Sequence, residues 1–253
     1  MQNSLYNNMT FGMHLEELRK RILYCLMAFL GVTVLTIIDQ SFYMSWILLP
    51  HLNTMQELNQ PATIQVLHYE ESFFCHLKVS IIASLILTIP FIFYQIWLFV
   101  STGLYESEKS YFGLFFPFIL LFFLSGILFG YFILIPLALK FLGSYGENIQ
   151  IGFTLSSYLS LFFVLTFVSG IIFQLPLLML FSIKIGLVKS NYYLENWRYA
   201  VLIIFIMAAI LTPPDVVTQL LLALPMLFLY FCGIFLCRTS ERIQEIKEFF
   251  YKN

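Results

Sequence analysis

Six apolar runs dominate this chain and leave it little choice of solvent. They fall roughly at Ile22–Ile38, Leu77–Val100, Tyr111–Leu139, Tyr158–Phe181, Tyr199–Leu211 and Val216–Leu236. A membrane-crossing helix needs ~20 predominantly apolar residues, a length most of these runs meet. In hydrocarbon every backbone N–H and C=O must be satisfied within the segment, so the runs are expected to be helices. The third is long enough to tilt or bend, with Pro117 and Pro136 near its ends. The fifth spans only about 20 Å against a hydrocarbon thickness of ~30 Å, so either the helix is half-length or the bilayer thins beside it. Composition agrees: the chain is 60% hydrophobic and 11% charged, whereas soluble domains carry ~25% charged residues.

Basic residues orient the runs. Arg19, Lys20, Arg21, Lys109, Lys184, Lys189, Arg198, Arg238, Arg242, Lys247 and Lys252 fall on one side of a six-span arrangement, and only Lys78 and Lys140 on the other. Positive charge collects on the inner side, so both termini are expected there, and an odd number of spans would misplace the carboxy-terminal basic group. The fold class is therefore all-α, a polytopic integral membrane protein with six transmembrane helices. One membrane domain covers 1–253: an inner amphipathic segment 1–21, a core 22–236 and an inner tail 237–253. Phe11, Leu15, Leu18 and Ile22 share one helical face in the first segment, as do Ile243, Ile246 and Phe250 in the tail. On the outer side Asp39–Cys75 is mixed, with Pro50 and Pro61 expected to break it and Phe42–Leu49 suited to lie along the membrane surface. The first apolar run follows a basic cluster but lacks a small-x-small cleavage site, so it is read as retained, and no transit peptide is expected.

Several chemistries find no support. A net charge of −1 offers no basic surface for nucleic acid. Cys25, Cys75, Cys232 and Cys237 lack metal spacing, and the four histidines lie in loops or at span edges rather than deep in facing spans, so neither metal nor haem is expected. No nucleophile or zinc motif is present, and the chain is not expected to be an enzyme or to carry a cofactor.

Individual polar residues admit two readings each. Gln174, inside the fourth span, either hydrogen-bonds a neighbouring helix of this chain or faces a partner helix. Asp215 follows Pro213 and Pro214, a place suited to an N-cap for the last span. Glu16–Lys20 and Glu17–Arg21 are i, i+4 pairs in the favoured order, so helix support accounts for those acids. Glu106 and Glu108 occupy the inner loop Ser101–Ser110, where solvated charge is ordinary.

Read in order, these residues resemble the TatC family, the multi-span core of the twin-arginine protein translocase. The likeness runs from the stretch His14 to Arg21 through Pro90, Tyr94 to Trp97, Phe99 and Gly103 to Lys109. It continues through Gly126, Tyr131, Phe132, Pro136 and Phe173 to Pro176, and ends on Leu211 to Asp215, Gln219 and Pro225. The resemblance implies a glove-like fold with two short final helices. It implies a receptor that binds the paired arginines of a signal peptide at its inner face and helps a folded cargo cross. By position, Glu17 and Glu108 match signal-peptide-binding acids, and Phe99 an aromatic beside them. Gln174 matches a contact for single-span TatA/TatB-like partners, often Glu in relatives. Pro50, Tyr131, Pro213, Pro214 and Asp215 are expected in structural or loop roles. Thr102 stands where relatives usually have Pro, implying a less rigid inner loop. Homo-oligomers within a complex, contact with membrane lipids and no nucleic acid are further expectations. The competing reading is a small-solute transporter or permease subunit, which should show polar or broken helices converging at mid-membrane. The abundance of Phe (29) and Tyr (15) suggests an AT-rich organellar genome and a mitochondrial inner membrane, with the bacterial plasma membrane as alternative.

Overall fold

The computed structural model describes the backbone at residues 11–102, 106–144, 153–189, 191–211 and 216–252, and side chains over most of those ranges. It is almost entirely helical. The helices are α1 (Phe11–Ile38), α2 (Gln40–Glu57), α3 (Tyr69–Thr102), α4 (Glu106–Phe129), α5 (Ile135–Ser144), α6 (Leu155–Ile172), α7 (Leu175–Lys184), α8 (Asn191–Glu195), α9 (Trp197–Leu211) and α10 (Val216–Lys252). A π-helical turn, Gly130–Leu134, joins α4 to α5. Five stretches are long and apolar enough to cross a membrane: Gly12–Ile38, Tyr69–Thr102, Phe116–Ser144, Leu155–Lys184 and Val216–Glu241. The sixth, α9, has 15 residues, about 22 Å of helix. Side chains such as Leu35 (65% exposed), Ile38 (74%) and Phe235 (70%) would be untenable in water over such lengths and match a lipid surround.

The segment from Phe11 to Arg21 leads as one helix into the first apolar run, as its apolar face implies, because nothing between Phe11 and Ile38 interrupts it. The elements differ from expectation in two places. Pro50 lies inside α2 and does not end it. Of the two final helices, α9 is short, whereas α10 runs for 37 residues because the charged tail extends the last span without a breaker.

The chain forms two compact units, Met1–Ser45 with Phe73–Leu120, and Trp46–Ser72 with Leu121–Asn253. In the first, α1 and α3 pack antiparallel along a stripe of small hydroxyls. Ser80, Ser84 and Thr88 recur every fourth residue on α3 and are at most 2% exposed. Thr36 donates to the Ser80 carbonyl at 3.0 Å, and Thr33 Oγ1 lies 2.9 Å from Ser84 Oγ. Lipid tails are as apolar as leucine, so such helices gain from close packing and interhelical hydrogen bonds rather than from hydrophobicity.

In the second unit, glycines bring backbones together. Gly126 and Gly130 lie four apart; a Cβ on Gly126 would meet the Ser169 carbonyl oxygen at 2.6 Å, and one on Gly130 the Leu165 oxygen at 2.8 Å. The third span thus lies directly on α6 through a small-x-x-x-small face. Phe123 fills the space beside Gly170, and Met179 that beside Gly233 of α10.

Prolines shape the outer end of this unit. Pro136 supplies no N–H to Phe132, and the backbone widens into the π turn, where the Ile135 N–H reaches the Gly130 carbonyl. Tyr131 stands in that turn and donates to the Trp46 carbonyl at 2.8 Å. Trp46 is four residues before Pro50, so its carbonyl is the one that Pro50 deprives of a helical donor. Tyr158 donates to the next carbonyl, Ile47, at 2.5 Å. One tyrosine thus supplies the donor that Pro50 removes, and a second bonds the carbonyl beside it. Beside them His51 is fully buried edge-on to Tyr158, and burial pushes its imidazole pKa down, so it is held neutral. The Lys140–Glu57 ion pair and a two-residue parallel bridge of Ile64–Gln65 with Phe153–Thr154 complete the outer end.

This packing can be tested by substitution. Gly130→Ala meets backbone and should destabilise by about 1–3 kcal/mol, read as a lowered Tm in detergent. Gly31→Ala, with nothing within 4 Å of its Cβ, should leave Tm unchanged or raised. Tyr131→Phe should cost about 0.5–1.5 kcal/mol by removing its hydrogen bond to the Trp46 carbonyl. In a Pro50→Ala background, where residue 50 regains its N–H, that cost should shrink, and a double-mutant cycle measures the difference.

Candidate functional site

The inner ends of α1 and α3 carry a polar cluster built on one face of each helix. His14, Glu17 and Arg21 stand at i, i+3 and i+7 of α1, and Gln95 and Phe99 at i and i+4 of α3. The antiparallel pairing fixed by the hydroxyl stripe brings the two faces together. The His14 ring stacks on Phe99 with centroids 4.4 Å apart and planes 25° from parallel. Arg21 Nε donates to Glu17 Oε1 at 2.7 Å, and its Nη2 lies 2.6 Å from the same oxygen. Its Nη1 donates to Gln95 Oε1 at 2.8 Å. The neighbouring Glu16–Lys20 pair differs: it is a single 3.1 Å contact between side chains 63% and 56% exposed, whereas Glu17 and Arg21 are 23% and 22% exposed. An i, i+4 pair in solvent contributes a few tenths of a kcal/mol. A partly buried carboxylate held by two donors of one guanidinium is a more specific arrangement.

The end of α3 is closed by its own hydroxyls. Ser101 donates to the Leu98 carbonyl and Thr102 to that of Phe99, at 2.8 and 2.6 Å. Thr102 thus bonds one of the last-turn carbonyls that a helix end leaves without a partner.

Glu17 and Phe99 accordingly belong to one cluster. Glu108 lies in the first turn of α4 in the same unit, but its side chain, like that of Glu106, is outside the described residues. So are Pro213, Pro214 and Asp215. Pro50 and Tyr131, expected in structural roles, meet across the Trp46 carbonyl at the outer end of the second unit. Gln174 is 8% exposed in that unit. It sits where the fourth span breaks: α6 ends at Ile172, α7 begins at Leu175, and Pro176 falls in the first turn of α7. Pro176 cannot supply an N–H to Ile172, so the helix is interrupted where Gln174 stands. Past the residues outside the description, Gln219 Nε2 donates to the Phe205 carbonyl at 3.0 Å and ties α10 to α9. Among the described residues no group of three or more metal-ligating side chains comes together.

Comparison with known proteins decides the family. The family model described as Sec-independent protein translocase protein (TatC) matches residues 13–225. A TatC protein of Campylobacter jejuni is 32% identical over 237 residues, 93% of this chain and 96% of the relative. The chain belongs to the TatC family. A TatC protein of Koribacter versatilis is 35% identical over 89% of this chain and 84% of its own length. A crystal structure described as a twin arginine translocase receptor, TatC, superposes with a TM-score of 0.80 at 32% identity, covering 90% of this chain and 99% of that one. This chain is therefore an integral membrane protein with the polytopic TatC fold.

Within this TatC-family fold, three members of the inner cluster, His14, Arg21 and Gln95, escape the sequence reading. The i, i+4 spacing to Glu17 suffices as an account of Arg21, and His14 and Gln95 stand only within the stretches His14 to Arg21 and Tyr94 to Trp97. The spacing Gln95–Phe99, four residues apart on a helix otherwise lined by small hydroxyls, is the signal that marks one polar face reaching the inner surface.

Proposed function

We propose that this TatC-family chain serves as the core receptor of a twin-arginine translocation system. In this reading it takes the paired arginines of a signal peptide at the inner ends of α1, α3 and α4, and assembles with single-span subunits to move folded proteins across the membrane. The observation that carries the reading is the Glu17 contact: a partly buried carboxylate at the inner end of the first unit already binds a guanidinium through two donors. Phe99, stacked on His14, supplies an aromatic wall on the same face. Glu108 adds a second anion for the second arginine. A guanidinium presents a planar fork that carboxylates accept, which an ammonium does not reproduce.

Gln174 is proposed as the contact for a single-span partner helix of the TatA/TatB kind. An amide at a helix break offers hydrogen bonds across helices without a buried charge. The chain is read as working in copies within the complex, and as transporting rather than catalysing. The Phe- and Tyr-rich composition favours a mitochondrial inner membrane, and the bacterial relatives a plasma membrane. A solute permease is the disfavoured alternative, since neither the family match nor the structural match supports it.

The test is binding of a fluorescent Arg-Arg signal peptide to purified protein in nanodiscs. Glu17→Gln and Glu108→Gln should each weaken it by roughly tenfold or more; wild-type affinity in both would overturn the site. Gln174→Leu should lower co-purification of a single-span partner while leaving the fold intact by circular dichroism, and undiminished recovery would remove Gln174 from the docking surface.

A further inference from the structure

Resting on that reading, we propose that Arg21 is an internal competitor for the Glu17 carboxylate and thereby sets the site's preference for arginine over lysine. Arg21 occupies Glu17 as an incoming arginine would, with Nε and Nη2 both on Oε1. Its remaining edge is anchored on the other helix by Gln95, so the guanidinium is held in place rather than sampled from solvent. Glu17 Oε2 takes no hydrogen bond from the described residues, and this open oxygen is where a second cation can begin to bind. No other described acid reaches this guanidinium, and Lys20 is engaged by Glu16 on the solvent side.

The selectivity follows from exchange. With Arg21 in place, the Glu17 charge is already balanced, and a newcomer gains little from simple charge attraction. It must offer hydrogen bonds at least equal to those it displaces. Another guanidinium exchanges like for like, two N–H donors for two. An ammonium is a compact, strongly hydrated point charge that cannot match the fork, and it must shed its water to compete. Without Arg21 the carboxylate is uncompensated, and any cation gains from it. Arg21 therefore raises the threshold for both ligands, and for lysine more than for arginine. Gln95 acts through Arg21 as a positioning residue.

The experiment measures Kd for an Arg-Arg and a Lys-Lys signal peptide on wild type, Arg21→Gln, Gln95→Ala and Glu17→Gln in nanodiscs. In Arg21→Gln the Lys-Lys peptide should tighten by about tenfold and the Arg-Arg peptide by less, so their Kd ratio narrows roughly fivefold. Gln95→Ala should narrow the ratio in the same direction by a smaller factor, and carries the test if Arg21→Gln does not fold. An unchanged or widened ratio, with Glu17→Gln still weakening Arg-Arg binding, overturns the competitor role alone and leaves the receptor site standing. Arg-Arg binding indifferent to Glu17→Gln removes the site and the competitor together.

Discussion

A backbone carbonyl inside a membrane protein has no water to fall back on, and proline takes donors away. Each unsatisfied group in hydrocarbon costs several kcal/mol; this chain places Pro90, Pro117 and Pro225 inside long apolar helices and Pro50 inside α2 on the outer side, where a side chain makes good the lost donor. The outer end of the second unit shows how the loss is met. Pro50 withdraws the donor from Trp46, and a tyrosine hydroxyl supplies it. Pro136 withdraws one from Phe132, and the helix widens by one residue. The two repairs are linked, because the widened turn carries Tyr131, the residue that repairs α2. What looks like a list of helix breakers is a set of positions where one segment is made dependent on another.

The first unit solves a related problem with hydroxyl side chains. Small hydroxyls let α1 and α3 approach and hydrogen-bond, and the antiparallel register they set carries inward to the polar cluster. There the stakes change from backbone satisfaction to charge. An isolated carboxylate at the edge of hydrocarbon is costly unless paired, and Arg21 pairs it. Under the proposed competition, the contact that pairs this carboxylate in the structure is also the one an incoming cation has to match. One ion pair would then serve both structural need and recognition.

Much of the fold is legible in the sequence because lipid imposes one rule on every span. Runs of apolar residues and the asymmetry of Lys and Arg lead to the six-span arrangement, and α9 is as short as its run. The helix boundaries are less legible. Pro50 reads as a breaker because its compensation comes from Tyr131, 81 positions away in the sequence, and no local pattern announces it. The break at Gln174 likewise hides inside an unbroken apolar run, marked only by Pro176. At the inner cluster, Glu17 and Phe99 stand out through the family resemblance, not through periodicity. The Arg21–Gln95 contact needed the helix pairing itself, since an i, i+4 spacing looks the same whether it lies in solvent or between helices.

The central claim is that the inner end of the first unit receives paired arginines. The most direct measurement is site-specific photo-cross-linking from position 108 to a precursor carrying Arg-Arg, beside a Lys-Lys version, in folded protein. The account predicts an adduct with the Arg-Arg precursor that is lost with Lys-Lys. No adduct with either, or equal adducts with both, would contradict it.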